Sequence, residues 1–205
     1  MITRYLGQED YSLTWQAMRK FTDSRTDDSE DELWVCEHTP VYTLGQAGKR
    51  EHILNAADIP VVQSDRGGQV TYHGPGQLLV YTLFNLKRAG FGIREMVVRL
   101  ENSVISLLAD YDIQAQSRRD APGVYVKNEK IAALGLRVRR GCTYHGIALN
   151  IAPDLTPFLG INPCGYQGMR VTSLQTLGVA IDNDQIAARF VQLIDTHLQS
   201  SSSVA

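Results

Sequence analysis

Cysteine is scarce in this chain, and the number present limits what it can do. The 205 residues include only Cys36, Cys142 and Cys164, an odd number that cannot pair off completely. A disulfide framework is therefore not expected. Each cysteine is instead a core residue, a metal ligand or a reactive thiol.

Long apolar runs and an excess of basic residues are also missing. No stretch approaches the roughly 20 apolar residues of a membrane-spanning helix. The N-terminal sequence MITRYLGQEDYSLTW lacks the apolar run of a secretory signal. The formal net charge is -2, whereas general nucleic-acid binders carry a large basic excess. We therefore expect a cytoplasmic protein that binds neither membranes nor nucleic acids.

Apolar periodicity predicts both helices and strands. Helical spacing predicts helices over residues 11–21 and 93–108, and Asp182 with Gln185 resembles a capping box that opens another. Short apolar runs predict strands at 33–36, 41–44, 61–62, 78–84, 123–126, 131–138 and 142–151. Strands and helices do not alternate strictly, and no linker or repeat is visible. This favours one α+β domain with a mixed, largely antiparallel sheet.

Residues 66–77, RGGQVTYHGPGQ, contain four glycines and a proline in twelve positions. Glycine allows a ligand to approach the backbone closely and permits positive φ angles. Arg66 and His73 add groups that bind an oxyanion or a carbonyl. The stretch is neither a P-loop nor a dinucleotide fingerprint. Taken alone, a ligand loop and a pair of tight turns around a strand explain it equally well.

Two other segments contain candidate reactive residues. Cys164 lies between Pro163 and Gly165, hence on a turn, which exposes a thiol and leaves backbone amides for an oxyanion. A half-buried loop cysteine fits the same sequence. Lys130 begins the stretch KIAALG, whose small residues leave room beside it. That window alone favours a solvated turn lysine.

Cys142 and His145 have the spacing of a metal-binding pair. A separation of three residues places them on opposite faces of a strand, so a zinc site would need a bulge and further ligands from Cys36 and His38. We therefore expect no metal, and we expect Cys142 to be a small buried residue.

Together these segments resemble the lipoyl(octanoyl) transferase family, the octanoyl-[acyl carrier protein]:protein N-octanoyltransferases. The matching stretches are RGGQVTYH at 66–73 followed by GPGQ, KIAALGLRVRRG from Lys130, TYHGIALNI from Thr143, and GINPCG around Cys164. The resemblance implies an α+β (α/β) fold like that of the biotin and lipoate protein ligases. It implies a single catalytic domain over 1–205, with its core at about 30–199 and a frayed tail at 200–205.

The resemblance also implies an activity. An octanoyl group would pass from octanoyl-acyl carrier protein to a lysine, with Cys164 as the nucleophile that forms a thioester and Lys130 as its partner, which favours the thiolate and relays protons. The acceptors would be lipoyl domains of 2-oxoacid dehydrogenase complexes and the glycine cleavage H protein. No cofactor would be needed, and the protein would act as a monomer. The implied acyl-binding residues are Arg66, Gly67, Gly68, Gln69, Val70, Thr71, Tyr72, His73, Ala133, Leu134, Gly135, Gly146, Ile147 and Ala148.

Other functions stay open. An ATP-dependent lipoate or biotin protein ligase would activate a free acid and would not need Cys164. A hydrolase would use Cys164 with His73, and a non-enzymatic module would only bind acyl carrier protein. Because such carriers are acidic, we hypothesise that Arg137, Arg139 and Arg140 dock the carrier, although a solvated turn explains these residues as well.

Overall fold

The computed structural model describes residues 1–166 and 168–200, apart from the side chain of Cys164. The helices are α1 (Tyr11–Ser24), α2 (Leu86–Ala89), α3 (Ile93–Ala109) and α4 (Asn183–Gln199). The strands are β1 (Ile2–Glu9), β2 (Glu32–His38), β3 (Val41–Leu44), β4 (Val61–Gln63), β5 (Val70–His73), β6 (Gln77–Leu83), β7 (Gln116–Ser117), β8 (Gly123–Val126), β9 (Glu129–Arg139) and β10 (Cys142–Asn150). Apart from Ser200, the predicted frayed tail lies outside the described residues.

The strands form two sheets. Seven of them pair in the order β1-β2-β6-β10-β9-β8-β7, and three pair in the order β4-β3-β5. The pairs β1–β2 and β3–β4 are parallel, whereas the remaining pairings are antiparallel. The predicted α+β fold with a mixed, largely antiparallel sheet is confirmed.

Helices or the smaller sheet cover both faces of the larger sheet. Successive side chains of a strand point to opposite faces. Leu78 and Val80 of β6 accordingly pack with α3 and α4, while Leu79 and Tyr81 pack on the side of α1. Full burial of a large apolar side chain contributes about 1.5–3 kcal/mol. Strand β6 is buried along its whole length. Its alternate side chains pack into the two hydrophobic clusters on the opposite faces of the sheet.

Two helices begin at the aspartates that their sequences provide. Asp10 Oδ1 accepts a hydrogen bond from the Leu13 amide at 3.0 Å, and Asp182 Oδ1 accepts one from the Gln185 amide at 3.0 Å. Such N-caps satisfy amides that have no partner within the helix. The cap at Asp182 was predicted. Among the described residues, no helix is both long and apolar enough to cross a membrane.

The predicted hairpins β8–β9 and β9–β10 are present and set the register of the sheet. Lys127 and Asn128, like Arg140 and Gly141, have positive φ angles. Two consecutive residues of this kind are typical of the type I′ turn, which matches the twist of the strands. The resulting register places Gly146 opposite Gly135, so two glycines face each other in the middle of the sheet.

Three strands were not predicted: β1, β5 and the two-residue strand β7. β1 is an edge strand whose sequence, ITRYLGQE, shows little apolar alternation, and it pairs in parallel with β2. β5 lies inside the glycine-rich stretch and pairs with β3. The tight-turn interpretation of that stretch, with a strand between two turns, therefore describes its backbone.

Candidate functional site

A narrow pocket lies between the α1-facing side of the large sheet and the three-stranded sheet. Ala133, Gly135, Gly146 and Ala148 of β9 and β10 line it on the side of the large sheet. The pocket encloses about 60 Å³. Because one water needs about 10–15 Å³ by the same measure, there is room for only a few water-sized positions. This shape suits a slim linear group better than a bulky one.

Close approach of neighbouring backbone explains the glycines of the pocket. A Cβ on Gly146 would lie 2.0 Å from the carbonyl oxygen of Val80 on the adjacent strand. A Cβ on Gly135 would lie 2.9 Å from the carbonyl oxygen of Gly67. Real side chains do not tolerate such distances, so both positions require glycine.

Twelve of the fourteen residues predicted to bind the acyl group line this one pocket. They are Arg66, Gly68, Gln69, Val70, Thr71, His73, Ala133, Leu134, Gly135, Gly146, Ile147 and Ala148. Gly67 and Tyr72 do not line it. Gly67 donates its amide to the Leu136 carbonyl at 3.0 Å, and Tyr72 packs on Phe158, with ring centroids 5.5 Å apart. The chain thus brings segments from three distant parts of the sequence together.

Arg66 holds the glycine-rich loop in place. Its Nε donates to Thr43 Oγ1 at 3.0 Å, and its Nη2 donates to the Thr43 carbonyl at 2.5 Å and to the Gln69 carbonyl at 2.6 Å. Nη1 donates to the Gly67 carbonyl at 2.9 Å. Hydrogen bonds to a charged donor are strong, and here they fix loop backbone. Arg66 therefore holds the loop in place, while its predicted role in binding substrate stays a prediction.

A chain of side-chain hydrogen bonds runs from His73 to the backbone beside Lys130. His73 Nδ1 lies 2.6 Å from Gln77 Oε1, and Gln77 Nε2 donates to Asn150 Oδ1 at 2.8 Å. Asn150 Nδ2 donates to the Thr172 carbonyl at 3.0 Å, and the Thr172 amide donates to the Lys130 carbonyl at 3.0 Å. This network assigns the Nδ1–H tautomer to His73. It couples the glycine-rich loop to β9.

The environment of His73 keeps its imidazole neutral. Burial, with help from the nearby His38, lowers the pKa of His73 to about 3. The hydroxyl of Thr43 lies 3.4 Å from Nε2, while Nδ1 is bonded to Gln77. A histidine with this pKa and two engaged nitrogens makes a poor general base near pH 7.

Asp65 joins three donors, one of which, His145, lines the pocket. Its oxygens accept hydrogen bonds from Trp15 Nε1 at 2.7 Å, Tyr144 Oη at 2.5 Å and His145 Nε2 at 2.9 Å. Burial raises the pKa of Asp65, but these donors outweigh it and hold the pKa well below its usual range. Adjacent residues of a regular strand point to opposite faces. The positive φ of His145, 60°, lets it share the carboxylate with Tyr144.

Lys130 is not the solvated turn lysine that the stretch KIAALG alone predicts. It is 3% exposed and lines the pocket. Its Nζ donates to the Pro122 carbonyl at 3.0 Å and lies 5.2 Å from the ring centroid of Tyr125. A Cβ on Gly123 would lie 3.2 Å from Nζ. The folded chain therefore surrounds this ammonium group, which sequence windows did not reveal.

The side chain of Cys164, the predicted nucleophile, lies outside the described residues. Its backbone belongs to the 3-10 turn Pro163–Gly165. Pro163 lines the same pocket as Lys130, and a Cβ on Gly165 would lie 3.6 Å from Gln69 Cγ. The fold therefore brings this turn, Lys130 and the glycine-rich loop to one pocket, while the catalytic role of Cys164 stays a prediction.

The other cysteines are structural. Cys36 and Cys142 are free and buried, as predicted for Cys142. Burial raises the pKa of the Cys36 thiol far above its usual range, which suppresses the reactive thiolate. Within residues 1–166 and 168–200, no group of three or more His, Cys, Asp or Glu side chains is placed to hold a metal ion.

The arginines hypothesised to dock a carrier lie at the end of β9 that is distant from Lys130. Arg139 pairs with Asp23 at 2.7 Å, and Arg140 donates to the Asp23 carbonyl at 3.1 Å. Arg137 donates to Gln46 at 2.7 Å. Nine residues of strand separate Arg139 from Lys130, which is about 30 Å at about 3.3 Å per residue. Pairing and distance weigh against the docking hypothesis, which stays untested.

Several pocket residues were not anticipated. They are Tyr11, Gln77, Leu79, Tyr81, Ala132, His145, Asn150, Phe158, Pro163 and Val171. Three of them could have been found from the sequence of β6, because Gln77, Leu79 and Tyr81 lie at alternate positions and so share one face of the strand. Assigning that face to the pocket requires knowing that β6 pairs with β10, which the local sequence does not reveal.

Known proteins resemble this chain in sequence and in fold. The family of the lipoyl protein ligase A/B catalytic domain matches residues 10–195. An octanoyltransferase of Alkalilimnicola ehrlichii is 60% identical over 185 residues, which are 90% of this chain and 86% of that protein. Another, from Vibrio campbellii, is 54% identical over 97% of this chain and 90% of its own length.

Among solved structures, lipoate-protein ligase A bound with ATP aligns with a TM-score of 0.79 at 14% identity, covering 97% of this chain and 86% of that chain. The biotin protein ligase of Aquifex aeolicus, in complex with biotin and ATP, aligns with a TM-score of 0.63 at 15% identity, over 97% of this chain and 70% of that chain. At these identities the likeness shows the fold alone, and it agrees with the ligase-like fold that was expected. The family match and the octanoyltransferase relatives go further: this chain belongs to the lipoyl protein ligase A/B catalytic domain family and is an octanoyltransferase.

Proposed function

We propose that this octanoyltransferase takes its acyl group from octanoyl-acyl carrier protein, carries it as a thioester on Cys164 and delivers it to a lysine of a lipoyl domain. The acceptors would be lipoyl domains of 2-oxoacid dehydrogenase complexes and the glycine cleavage H protein. The enzyme would act in the cytoplasm as a monomer, without a cofactor.

The buried position of Lys130 is the observation that carries this proposal. Lys130 lines a pocket that Pro163, the residue before Cys164, also lines. A cation beside a thiol stabilises the thiolate, and each unit of thiol pKa depression requires about 1.4 kcal/mol of differential interaction. Burial strengthens such an interaction because the local dielectric constant is low. Lys130 would thus activate Cys164 and shuttle the proton between donor thiol and acceptor amine.

The electrostatics of the pocket support an apolar acyl chain as its occupant. The histidines and tyrosines around it are held neutral, because burial lowers the pKa of His73 and His145 and raises that of Tyr11 and Tyr81. The Arg66 guanidinium donates to loop carbonyls. An alkyl chain entering such a site displaces little tightly held solvent. Each buried methylene contributes about 0.8 kcal/mol, so the depth of the pocket selects for chain length.

The energetics of the reaction need no nucleotide. Attack of the Cys164 thiolate on the donor thioester forms a new thioester and releases the carrier thiol, which takes up a proton. The two thioesters are similar in energy. Attack of the acceptor lysine amine then forms an amide and returns the cysteine thiol, which is downhill. A covalent intermediate of this kind predicts ping-pong kinetics.

Intact-protein mass spectrometry after incubation with octanoyl-acyl carrier protein tests the proposal. We expect the wild type to gain one octanoyl group, which a lipoyl domain then removes. Cys164→Ala should gain none. Cys142→Ala is the matched control, because Cys142 is also a free cysteine but is buried and lies outside the pocket, and it should be acylated like the wild type. An adduct that persists in Cys164→Ala would refute the thioester.

The same reaction mixtures separate the alternatives. A ligase would form no adduct from the carrier thioester, and its transfer of free octanoate would require ATP and survive Cys164→Ser. A hydrolase would release octanoate without an acceptor. The engaged nitrogens and low pKa of His73 count against a Cys164–His73 hydrolase. A module that only binds the carrier would show neither adduct nor release.

A further inference from the structure

Helix α3 buries a carboxylate close to Lys130. Glu101 is 5% exposed, and its Oε1 accepts a hydrogen bond from the amide of Gly123 at 2.8 Å. A carboxylate is costly to bury unless it is bonded and balanced by a positive charge. An apolar residue would fill the same position of the helix without that cost. The presence of a carboxylate here therefore calls for a role beyond packing.

Glu101 and Lys130 bind the two ends of the same peptide group. The Gly123 amide donates to Glu101, and the Pro122 carbonyl, which belongs to the same peptide bond, accepts from Lys130 Nζ at 3.0 Å. The N–H and C=O of a trans peptide group point in opposite directions. Glu101 Oε1 and Lys130 Nζ therefore lie on opposite sides of one peptide group, at most about 8 Å apart.

This arrangement links the carboxylate to the ammonium group electrically as well as geometrically. Hydrogen bonds in a row polarise one another, so a carboxylate on the N–H makes the carbonyl a stronger acceptor for Lys130. Lys130 is 3% exposed, so little water screens the interaction. The backbone fits the contact, because Gly123 has a φ of 142° and a Cβ there would lie 3.0 Å from Lys130 Cε.

The titratable groups of α4 lie on the other side of α3. Arg99 Nη1 donates to the His197 carbonyl at 2.5 Å, and Ser106 Oγ lies 3.0 Å from His197 Nε2. Arg99 and Ser106 are seven residues apart, about two helical turns, and so share the face of α3 that contacts α4. Glu101 lies about 200° around the helix from Arg99 and faces the sheet.

Other ionisable side chains near Lys130 have partners of their own. They are Tyr125, whose hydroxyl donates to the Ala121 carbonyl at 2.7 Å, Arg118, which pairs with Asp120 at 3.2 Å, and Glu129, which pairs with Arg170 at 3.7 Å. Burial raises the pKa of Glu101, whereas the Gly123 hydrogen bond and the charge of Lys130 lower it. The carboxylate and the ammonium group therefore act on each other.

We propose that Glu101 is a positioning residue of the transfer reaction: it holds Lys130 through the Pro122–Gly123 peptide group and balances the ammonium charge. Glu101 does not line the pocket, so it acts on the reaction through Lys130. The proposal rests on the proposed function, because it assumes that Lys130 activates Cys164. A nearby negative charge favours the protonated form of both groups. Glu101 thus sets the pH range in which the pair is active.

The pH dependence of acylation tests this role. Octanoyl uptake by Cys164 is followed by rapid quenching and intact-protein mass spectrometry between about pH 6 and 9. Glu101→Gln isolates the charge, because the glutamine oxygen still accepts from the Gly123 amide. We expect its pH–rate profile to move to lower pH by about one unit, the value for charges about 8 Å apart at an effective dielectric constant of about 20.

Glu95→Gln is the matched control. It removes a carboxylate of the same helix that pairs with Arg99 at 2.6 Å and lies outside the pocket. Its pH–rate profile should coincide with that of the wild type. A displaced profile in this variant as well would assign the shift to any charge lost from α3 and would overturn the specific role of Glu101.

The outcomes separate this inference from the proposed function. If the wild type is not acylated on Cys164, the proposed function is refuted. If it is acylated and the Glu101→Gln profile keeps its position, at whatever rate, only the role of Glu101 is refuted. Should Glu101→Gln fold poorly, carbon NMR of the Glu101 carboxyl decides, because the coupling of two charges is reciprocal. Its titration midpoint should be about one pH unit higher in Lys130→Met than in the wild type, and equal midpoints would overturn the proposal.

Discussion

Mild acid should destabilise this protein through His73. Its pKa in the folded state is about 3, against an ordinary value of 6.5. Above about pH 6.5 the imidazole is neutral in both the folded and the unfolded chain, and it contributes nothing to the pH dependence of stability. Between pH 6.5 and 3 the unfolded chain binds a proton that the folded chain does not. The free energy of unfolding therefore falls as the pH falls through this window.

The size of the effect follows from the pKa difference. Lowering the pH from 6.5 to about 5 covers 1.5 pH units, and at about 1.4 kcal/mol per unit this one residue removes about 2 kcal/mol of stability. Burial also lowers the pKa of His38 and His145, so both act in the same direction. The contribution of Asp65, whose folded pKa is lowered, is lost only below the unfolded carboxyl pKa. It is therefore intact at pH 5.

Urea unfolding followed by the fluorescence of Trp15 and Trp34 measures this dependence. The free energies of unfolding at about pH 7.5 and about pH 5 are compared for the wild type and His73→Gln, whose amide does not titrate. The variant is expected to be less stable at pH 7.5. Its loss between the two pH values should nevertheless be about 2 kcal/mol smaller than that of the wild type. Equal losses would refute the argument, because His73 would then bind protons alike in both states.

Three further substitutions test the site and the fold. Gly146→Ala should destabilise by about 3 kcal/mol or more, because its Cβ would meet the Val80 carbonyl oxygen at 2.0 Å. In thermal unfolding Gly92→Ala, with nothing within 4 Å, should cost only the roughly 1 kcal/mol or less of alanine at the N-cap of α3. Lys130→Met should slow acylation in the mass-spectrometric assay about 100-fold or more while the circular dichroism spectrum stays native, and an unchanged rate would remove Lys130 from the chemistry. Asp182→Ala should cost about 1 kcal/mol in urea unfolding, since the Gln185 amide loses its cap, and no loss would contradict that role.

Local chemistry explains why much of the architecture was predictable. The turns Lys127-Asn128 and Arg140-Gly141 join strands whose apolar runs are readable on their own, and α3 shows its helical period directly. These elements depend on neighbours within a few residues. Strand β1 was missed for the opposite reason. Its pairing with β2 stabilises a sequence with little apolar alternation, and no local pattern reports that pairing.

The candidate site likewise has residues that the sequence could predict and an environment that it could not. The glycine-rich stretch, the KIAALG stretch and the turn at Cys164 were each ambiguous alone, and only their order in the chain indicated an octanoyltransferase. The environment of Lys130 was misjudged from its own window. Its burial comes from Pro122, from the Tyr125 ring and from a backbone hydrogen bond to Arg170. None of these contacts follows from the residues beside it.

Periodicity, turn chemistry and motif order along the chain were enough to predict the fold class, most helices and strands, the hairpin turns and the family. Which groups are buried and paired follows only from the folded chain: Arg66 holds its loop, His73 is neutral, Lys130 is buried and His145 shares the Asp65 carboxylate. Charge state and hydrogen bonding depend on burial and on partners that are distant in the chain, such as Asp65 for His145. Such partners meet only in the folded chain: Asp65, in the loop after β4, reaches His145 of β10.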